Sequence, residues 1–267
     1  MIPLAASDPP SSSSSLCEAI RGGCVGKKFS VQAVEASALQ FPRMESLELD
    51  ISGTQMDSES RFPQPTAAPL DFPIYEVQNF SLHATPLLWE NIAAELGVKI
   101  SNARFGLAPE REGEFSLLLQ QTDQGRASVK IAVADLRAAA ERWIKKAAEQ
   151  QGAEIKKTVL KLHSTGPRSG ELELEITAKL FVMTATLVIR GAVSIEEPFE
   201  MRFSGWTCTG QSMITSAANA LLKPRFEQLE NQRISLGTLG RAIGLGFIEF
   251  RDIRMECGEH LQIEATW

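Results

Sequence analysis

From Glu171 to Val182 the chain alternates without a break. Leu172, Leu174, Ile176, Ala178, Leu180 and Val182 fall on one phase, and Glu171, Glu173, Glu175, Thr177, Lys179 and Phe181 on the other. Side chains on a strand point to opposite faces with period two, so this is one long strand. It has a dry face and, in its first half, a charged one. About twelve residues is roughly twice the usual strand length. Long strands of this kind suit a sheet that wraps around another element, and that constrains the fold of everything after it.

The segments that follow keep the same rhythm. Thr184 to Ser194 and Phe199 to Ser204 read as strands, as does Thr158 to Ser164 before. Upstream, Met44 to Gly53 carries Leu47, Leu49 and Ile51 in alternation. Val98 to Phe105, Glu114 to Gln120 and Ser128 to Val133 also read as strands, and Phe247–Glu256 and His260–Thr266 close the chain. Three stretches read as helices. Thr85-Pro86 supplies an N-cap and a first-turn proline, followed by Leu88, Ile92 and Leu96 at spacing four and by Gly97 as a stop. Asp135 caps a second, with the apolar stripe Leu136, Ala140, Trp143, Ile144 and Ala147 and a stop at Gly152. A third spans about 211–230 with Ile214, Ala217, Leu221, Leu222, Phe226 and Leu229 inward; Pro224 should kink or break it.

Strands and helices do not alternate strictly, which argues against a doubly wound parallel sheet. The expected fold is α+β: long amphipathic helices packed in a highly curved, mainly antiparallel sheet. Two domain-level expectations accompany it. Residues 1–43 are Ser-rich, with Ser11 to Ser15 as a homopolymer run and few acids, and read as a disordered leader. That composition suits an organelle transit peptide, a plastid one in particular; a plain extension with Met44 as the true start fits equally. A single domain then occupies 44–267, with a Pro-rich segment at 54–73.

The order of these elements resembles the TULIP superfamily, and within it the LmeA-like phospholipid-binding family once filed as a domain of unknown function. The residues that carry the resemblance cover about 72–267. They are Val129–Val133 feeding Asp135-Leu136 and its helix, then Leu172 to Leu180 and Leu187-Val188-Ile189-Arg190-Gly191 as the sheet. Met213-Ile214 to Leu229, entering Ile234-Ser235-Leu236, gives the later helix, and Asp252-Ile253-Arg254 to Leu261-Gln262-Ile263-Glu264-Ala265 the ending. The resemblance implies a long apolar groove between helices and sheet that holds acyl chains.

No catalytic constellation emerges, so the chain is not expected to be an enzyme. His83, His163 and His260 lie in unrelated segments, and Ser164 beside His163 would point to the opposite strand face. Glu171, Glu173 and Glu175 share one face and read as a solvated surface. The Gly-rich run from Gly237 to Gly246 matches no phosphate-binding pattern. Cys17, Cys24, Cys208 and Cys257 form no CxxC, so no metal or other cofactor is expected; a Cys208–Cys257 bridge requires that two strands meet. The net charge of −6 argues against nucleic acid as the main partner. No apolar run is long enough for a spanning helix, and Met1–Lys28 lacks the apolar core of a secretory signal.

The expected function is non-enzymatic lipid binding or lipid transfer. Groove candidates are Leu136, Trp143, Ile144, Ile214, Leu221, Leu222 and Phe226 from the helices, and Ile176, Leu180, Leu187 and Ile189 from the sheet. Lys145, Lys146, Lys156 and Lys157 cluster around one connection and are candidates for peripheral contact with an anionic membrane. The alternative is a structural or adaptor protein whose core is packed shut and whose outer face binds a protein.

Overall fold

Period-two sequence builds most of this chain, and it does so in two separate sheets. The structure, a computed structural model, describes residues 2–56, 74–110, 114–149, 152–180, 183–210, 213–236 and 249–267. The strands are β1 (Ile2–Leu4), β2 (Ala33–Gln40), β3 (Arg43–Asp50), β4 (Gln55–Met56), β5 (Ile74–Trp89), β6 (Ile92–Pro109), β7 (Phe115–Gln121) and β8 (Gln124–Ala132). They continue with β9 (Ala153–Gly166), β10 (Ser169–Leu180), β11 (Met183–Glu196), β12 (Glu200–Gly210), β13 (Arg233–Ser235), β14 (Asp252–Cys257) and β15 (His260–Thr266). Three helices are described: α1 (Ser13–Gly26), α2 (Val133–Glu149) and α3 (Met213–Glu230). The protein is α+β, with a ten-stranded mixed sheet ordered β14-β15-β8-β6-β5-β3-β2 along its main path and a five-stranded antiparallel sheet ordered β13-β12-β11-β10-β9.

The chain divides into two compact units rather than one domain: residues 1–129, 237–252 and 264–267 in the first, 130–236 and 253–263 in the second. In the first unit α1 packs beside β1 and β2. Leu16, Ala19, Ile20, Gly23 and Cys24 line one side of the helix at spacings of three and four. Leu16, Ala19, Ile20 and Cys24 join Met44, Leu47, Leu49, Tyr75, Val77, Phe105 and Leu117 in the core. The segment 1–43 is therefore not a disordered leader. Ser12 and Ser15 form a reciprocal capping box that starts α1, β1 pairs with β7, and β2 pairs with β3. The Tyr75 hydroxyl donates to the Pro10 carbonyl at 3.1 Å, and the Ala5 N–H to the Ala19 carbonyl at 2.8 Å. The serine run dominated the composition, while the helical stripe behind it was short.

The expected helix after Thr85-Pro86 is instead the end of β5 and the start of β6. Leu88, Ile92 and Leu96 are four apart, and an even spacing satisfies period two as well as a helical face. Pro86 sits where the β5–β6 register shifts between Ala84 and Leu87, the kind of site a strand proline tolerates. Glu90 and Asn91 both take positive φ, 46° and 65°, and close a two-residue hairpin of the primed type.

In the second unit β9 to β13 form a meander of long strands. β10 pairs with β11 over its whole length, from Ser169–Ser194 to Leu180–Met183, with no register break. Bulges occur only against the flanking strands, at Ser169/Gly170 and Thr177/Ala178 toward β9 and at Arg190/Ala192 toward β12. Bulges bend strands, so an unbroken central pair leaves the sheet open and not strongly curled. The expectation of a highly curved sheet is corrected accordingly. The helix α2 runs along β9, and α3 along β12 with a lesser contact to β11. Gly152, at φ +69°, turns the chain out of α2; its N–H donates to the Glu149 carbonyl at 3.1 Å. The helix α3 continues through Pro224 to Glu230. Phe181 and Val182, the Gly-rich run 237–246 and the prolines at 63, 65, 69 and 73 lie outside the described residues.

Candidate functional site

The five-stranded sheet has two chemically different faces, set by register. On one face the rungs Thr158–Ile176–Leu187 and Leu160–Leu174–Ile189–Cys208 cross the strands. On the other, Lys161, Glu173 and Arg190 form a row across three strands. Glu173 accepts from Lys161 Nζ at 2.8 Å and from Arg190 Nε at 2.9 Å. These two donors, Lys161 first, hold the Glu173 carboxyl below the usual glutamate value of 4.5. The Thr177 and Thr186 hydroxyls lie 3.3 Å apart on the same face. Glu173 is thus held in a cross-strand ionic row.

Both helices pack on the strands of this sheet, and the apolar face is the candidate site. Ile176, Leu187, Ile189 and Cys208 are buried there, and around them Ile144 of α2, Ile155, Leu174, Trp206, and Leu222 and Phe226 of α3 are only partly covered. The Trp206 and Phe226 rings stack with centroids 5.7 Å apart at 23°. The Trp206 main-chain N–H donates to the Glu230 carboxylate at 3.0 Å, which fastens the last turn of α3 to β12. Gly191 permits this arrangement, since a Cβ there would stand 2.6–2.7 Å from the indole ring atoms. Two polar atoms are left over. Trp206 Nε1 and Thr158 Oγ1 are buried without a hydrogen-bond partner among the described residues. They belong to β12 and β9, three strand spacings or about 14 Å apart across the sheet.

Of the residues named from the sequence, Ile144, Ile176, Leu187, Ile189, Leu222 and Phe226 come together in this one cluster. Leu136 is half-buried on α2 but outside the cluster. Trp143 is 70% exposed and lies outside the cluster. The side chains of Leu180, Ile214 and Leu221 lie outside the described residues. The strand expected at Phe199–Ser204 stops short of Trp206 and Cys208, so neither is among the groove candidates. Both share the phase of Gly210; in the structure Gly205 takes φ +65° beside the register shift and β12 runs on.

The four lysines named from the sequence fall on two kinds of element. Lys157 pairs across from Thr177 on the ionic face, whereas Lys145 and Lys146 belong to α2. Lys145 reaches Glu141 at 2.7 Å, and Lys156 pairs with Glu154. Each lysine, through its hydrogen bond first and its charge second, lowers the carboxyl it contacts. Ser164 is occupied by main chain: its Oγ accepts from the Cys257 N–H at 2.6 Å. All four cysteines are free thiols, so Cys208 and Cys257 form no bridge. Among the described residues no helix is long and apolar enough to cross a membrane. No protein-family model, curated protein or solved structure matches the chain.

Proposed function

We propose that the second unit holds an acyl chain on the apolar face of its five-stranded sheet, and that the protein is a lipid-binding or lipid-transfer protein. The observation that carries this reading is the uneven coverage of that face. Four side chains are buried, while six apolar neighbours from α2, α3 and the strands around them keep part of their surface open. A chain laid along Ile176, Leu187 and Ile189 would remove that remaining surface from water. Each buried CH₂ contributes about 0.8 kcal/mol, so a sixteen-carbon chain gains about 10 kcal/mol before ordering costs. The orphan donor Trp206 Nε1, beside Phe226 of α3, supports a ligand with a polar end, since an unpaired buried donor costs about 1–3 kcal/mol that a ligand carbonyl or carboxylate oxygen would recover; Thr158 Oγ1, three strands away, is too far to share that end. The order of strands and helices that resembles the TULIP superfamily supports the same class, with a flatter sheet.

Approach to an anionic bilayer would use α2. Trp143 is exposed and lies one turn from Lys146, an aromatic and a cation on neighbouring positions of a helix surface. The test is uptake of a fluorescent fatty acid. Leu222→Asp places a charge on the partly open wall, and uptake is expected to fall by about tenfold or more with far-UV circular dichroism unchanged. Undiminished uptake by the folded variant would overturn the proposal, and uptake by neither protein would do the same.

A further inference from the structure

A cleft of about 750 Å³ opens in the first unit, away from the residues used above. We infer that it binds a phosphorylated polyol or sugar through Lys99 and Arg251, with its hydroxyl-bearing body against Ser81, Asn79 and Glu48. This site is independent of the lipid reading, because every residue that lines it belongs to the first unit.

The charge balance is the first argument. Lys99, Arg126 and Arg251 line the cleft against one carboxylate, Glu48, in a chain whose net charge is −6. Arg126 is engaged, with Glu264 at 2.6 Å. Lys99 and Arg251 have no ion-pair partner among the described residues. The contrast lies in the same unit: a depression of about 470 Å³ is lined by Arg43 and Arg104, and there both guanidinium groups close on Glu76, at 3.0 and 3.1 Å. Among the described residues the cations of one recess are neutralised and two of those in the other are not. An arginine fork and a lysine point charge are what a phosphate dianion takes.

Register supplies the second argument. Glu48 of β3 stands opposite Ser81 of β5, and Ser81 opposite Lys99 of β6. The three therefore form one row, with the carboxylate and the ammonium two strand spacings apart, about 10 Å between backbones. The two form no ion pair with each other in the structure. The next row pairs Asn79 with Ser101. The cleft thus runs from a cationic end to an acidic end over neutral amide and hydroxyl groups. A bare phosphate would leave most of the volume empty; a polyol phosphate has hydroxyls for the neutral groups and for Glu48, which accepts them.

The third argument is an unpaired donor. Trp267 lines the cleft and is 6% exposed, yet its Nε1 has no partner among the described residues. Its ring is held in place: Trp267 and Gly125 exchange main-chain hydrogen bonds at 3.2 and 3.1 Å. A Cβ on Gly125 would come within 2.0 Å of the indole. A fixed, buried N–H at the wall of a polar cleft suits an oxygen-rich ligand.

Titration calorimetry tests the assignment with three soluble probes: glucose 6-phosphate, glucose and inorganic phosphate. Glucose 6-phosphate is expected to bind more tightly than either half, and Lys99→Gln with Arg251→Gln to weaken it and inorganic phosphate by about tenfold or more. Glu48→Gln should weaken glucose 6-phosphate and spare inorganic phosphate. Arg43→Gln, in the neutralised recess, should change neither. Vesicles carrying a phosphoinositide separate the sources: capture that needs Lys99 and Arg251, without binding of the soluble probes, places the same chemistry on a lipid headgroup. Binding that is unchanged in the double variant, or absent for all soluble probes and vesicles, would overturn the inference.

Discussion

Gly191 sets the geometry of the apolar face more sharply than any large residue on it. The Trp206 indole lies against its Cα, and the stack with Phe226 follows from that position. Replacing Gly191 with Ala puts a methyl 2.6 Å from the ring, too close for any rotamer adjustment of a few tenths of an ångström. The indole must move, the stack is lost, and overpacking of this kind costs about 1–3 kcal/mol. Tryptophan emission should shift to the red and the denaturant midpoint should fall; an unchanged spectrum and midpoint would contradict the packing described. From sequence alone Gly191 was an ordinary strand glycine. Its requirement appears only when the Arg190/Ala192 register shift brings Trp206 across from it, and long-range register is not written in any local window.

At the scale of elements, the row Lys161–Glu173–Arg190 ties β9, β10 and β11 together on the ionic face. The Glu173 carboxyl titrates below its ordinary value, through the hydrogen bond from Lys161 first and from Arg190 next. A depressed folded value means that the contribution is present above the unfolded value and is lost as pH falls through the folded one. Glu173→Gln should therefore be less stable than the parent at pH 7, and the difference should shrink as the solution is acidified below about pH 4. A gap that persists unchanged at low pH would show that the loss is not electrostatic. The strands of this sheet, with both of its helices, were legible because Glu171–Leu180 and its neighbours repeat with period two over long runs, and α2 and α3 carry stripes with capping or stop residues. The hairpin at Glu90–Asn91 was not, because four-residue spacing serves a strand and a helix equally.

For the whole molecule the N-terminal segment matters most. Leu4, Leu16 and Ile20 are nearly fully buried against Tyr75, Leu117 and Met44, so a chain shortened to begin at Met44 would expose that core. It is expected to be insoluble or to lack the cooperative thermal transition of the first unit; a soluble shortened protein with the parent Tm would contradict this. Serine content hid the segment, and two units rather than one were not legible because their boundary carries no change of composition. Six of the eleven groove candidates meet in one cluster, since amphipathic phase is local, while the cleft around Lys99 and Arg251 draws on strands far apart in sequence and left no local trace. The proposed lipid site is tested most directly by photo-crosslinking with a diazirine-bearing fatty acid, followed by peptide mapping. Adducts are expected on segments 174–189 and 222–226, where Leu174, Ile176, Leu187, Ile189, Leu222 and Phe226 lie. An absence of adducts, or adducts confined to the first unit, would contradict the account.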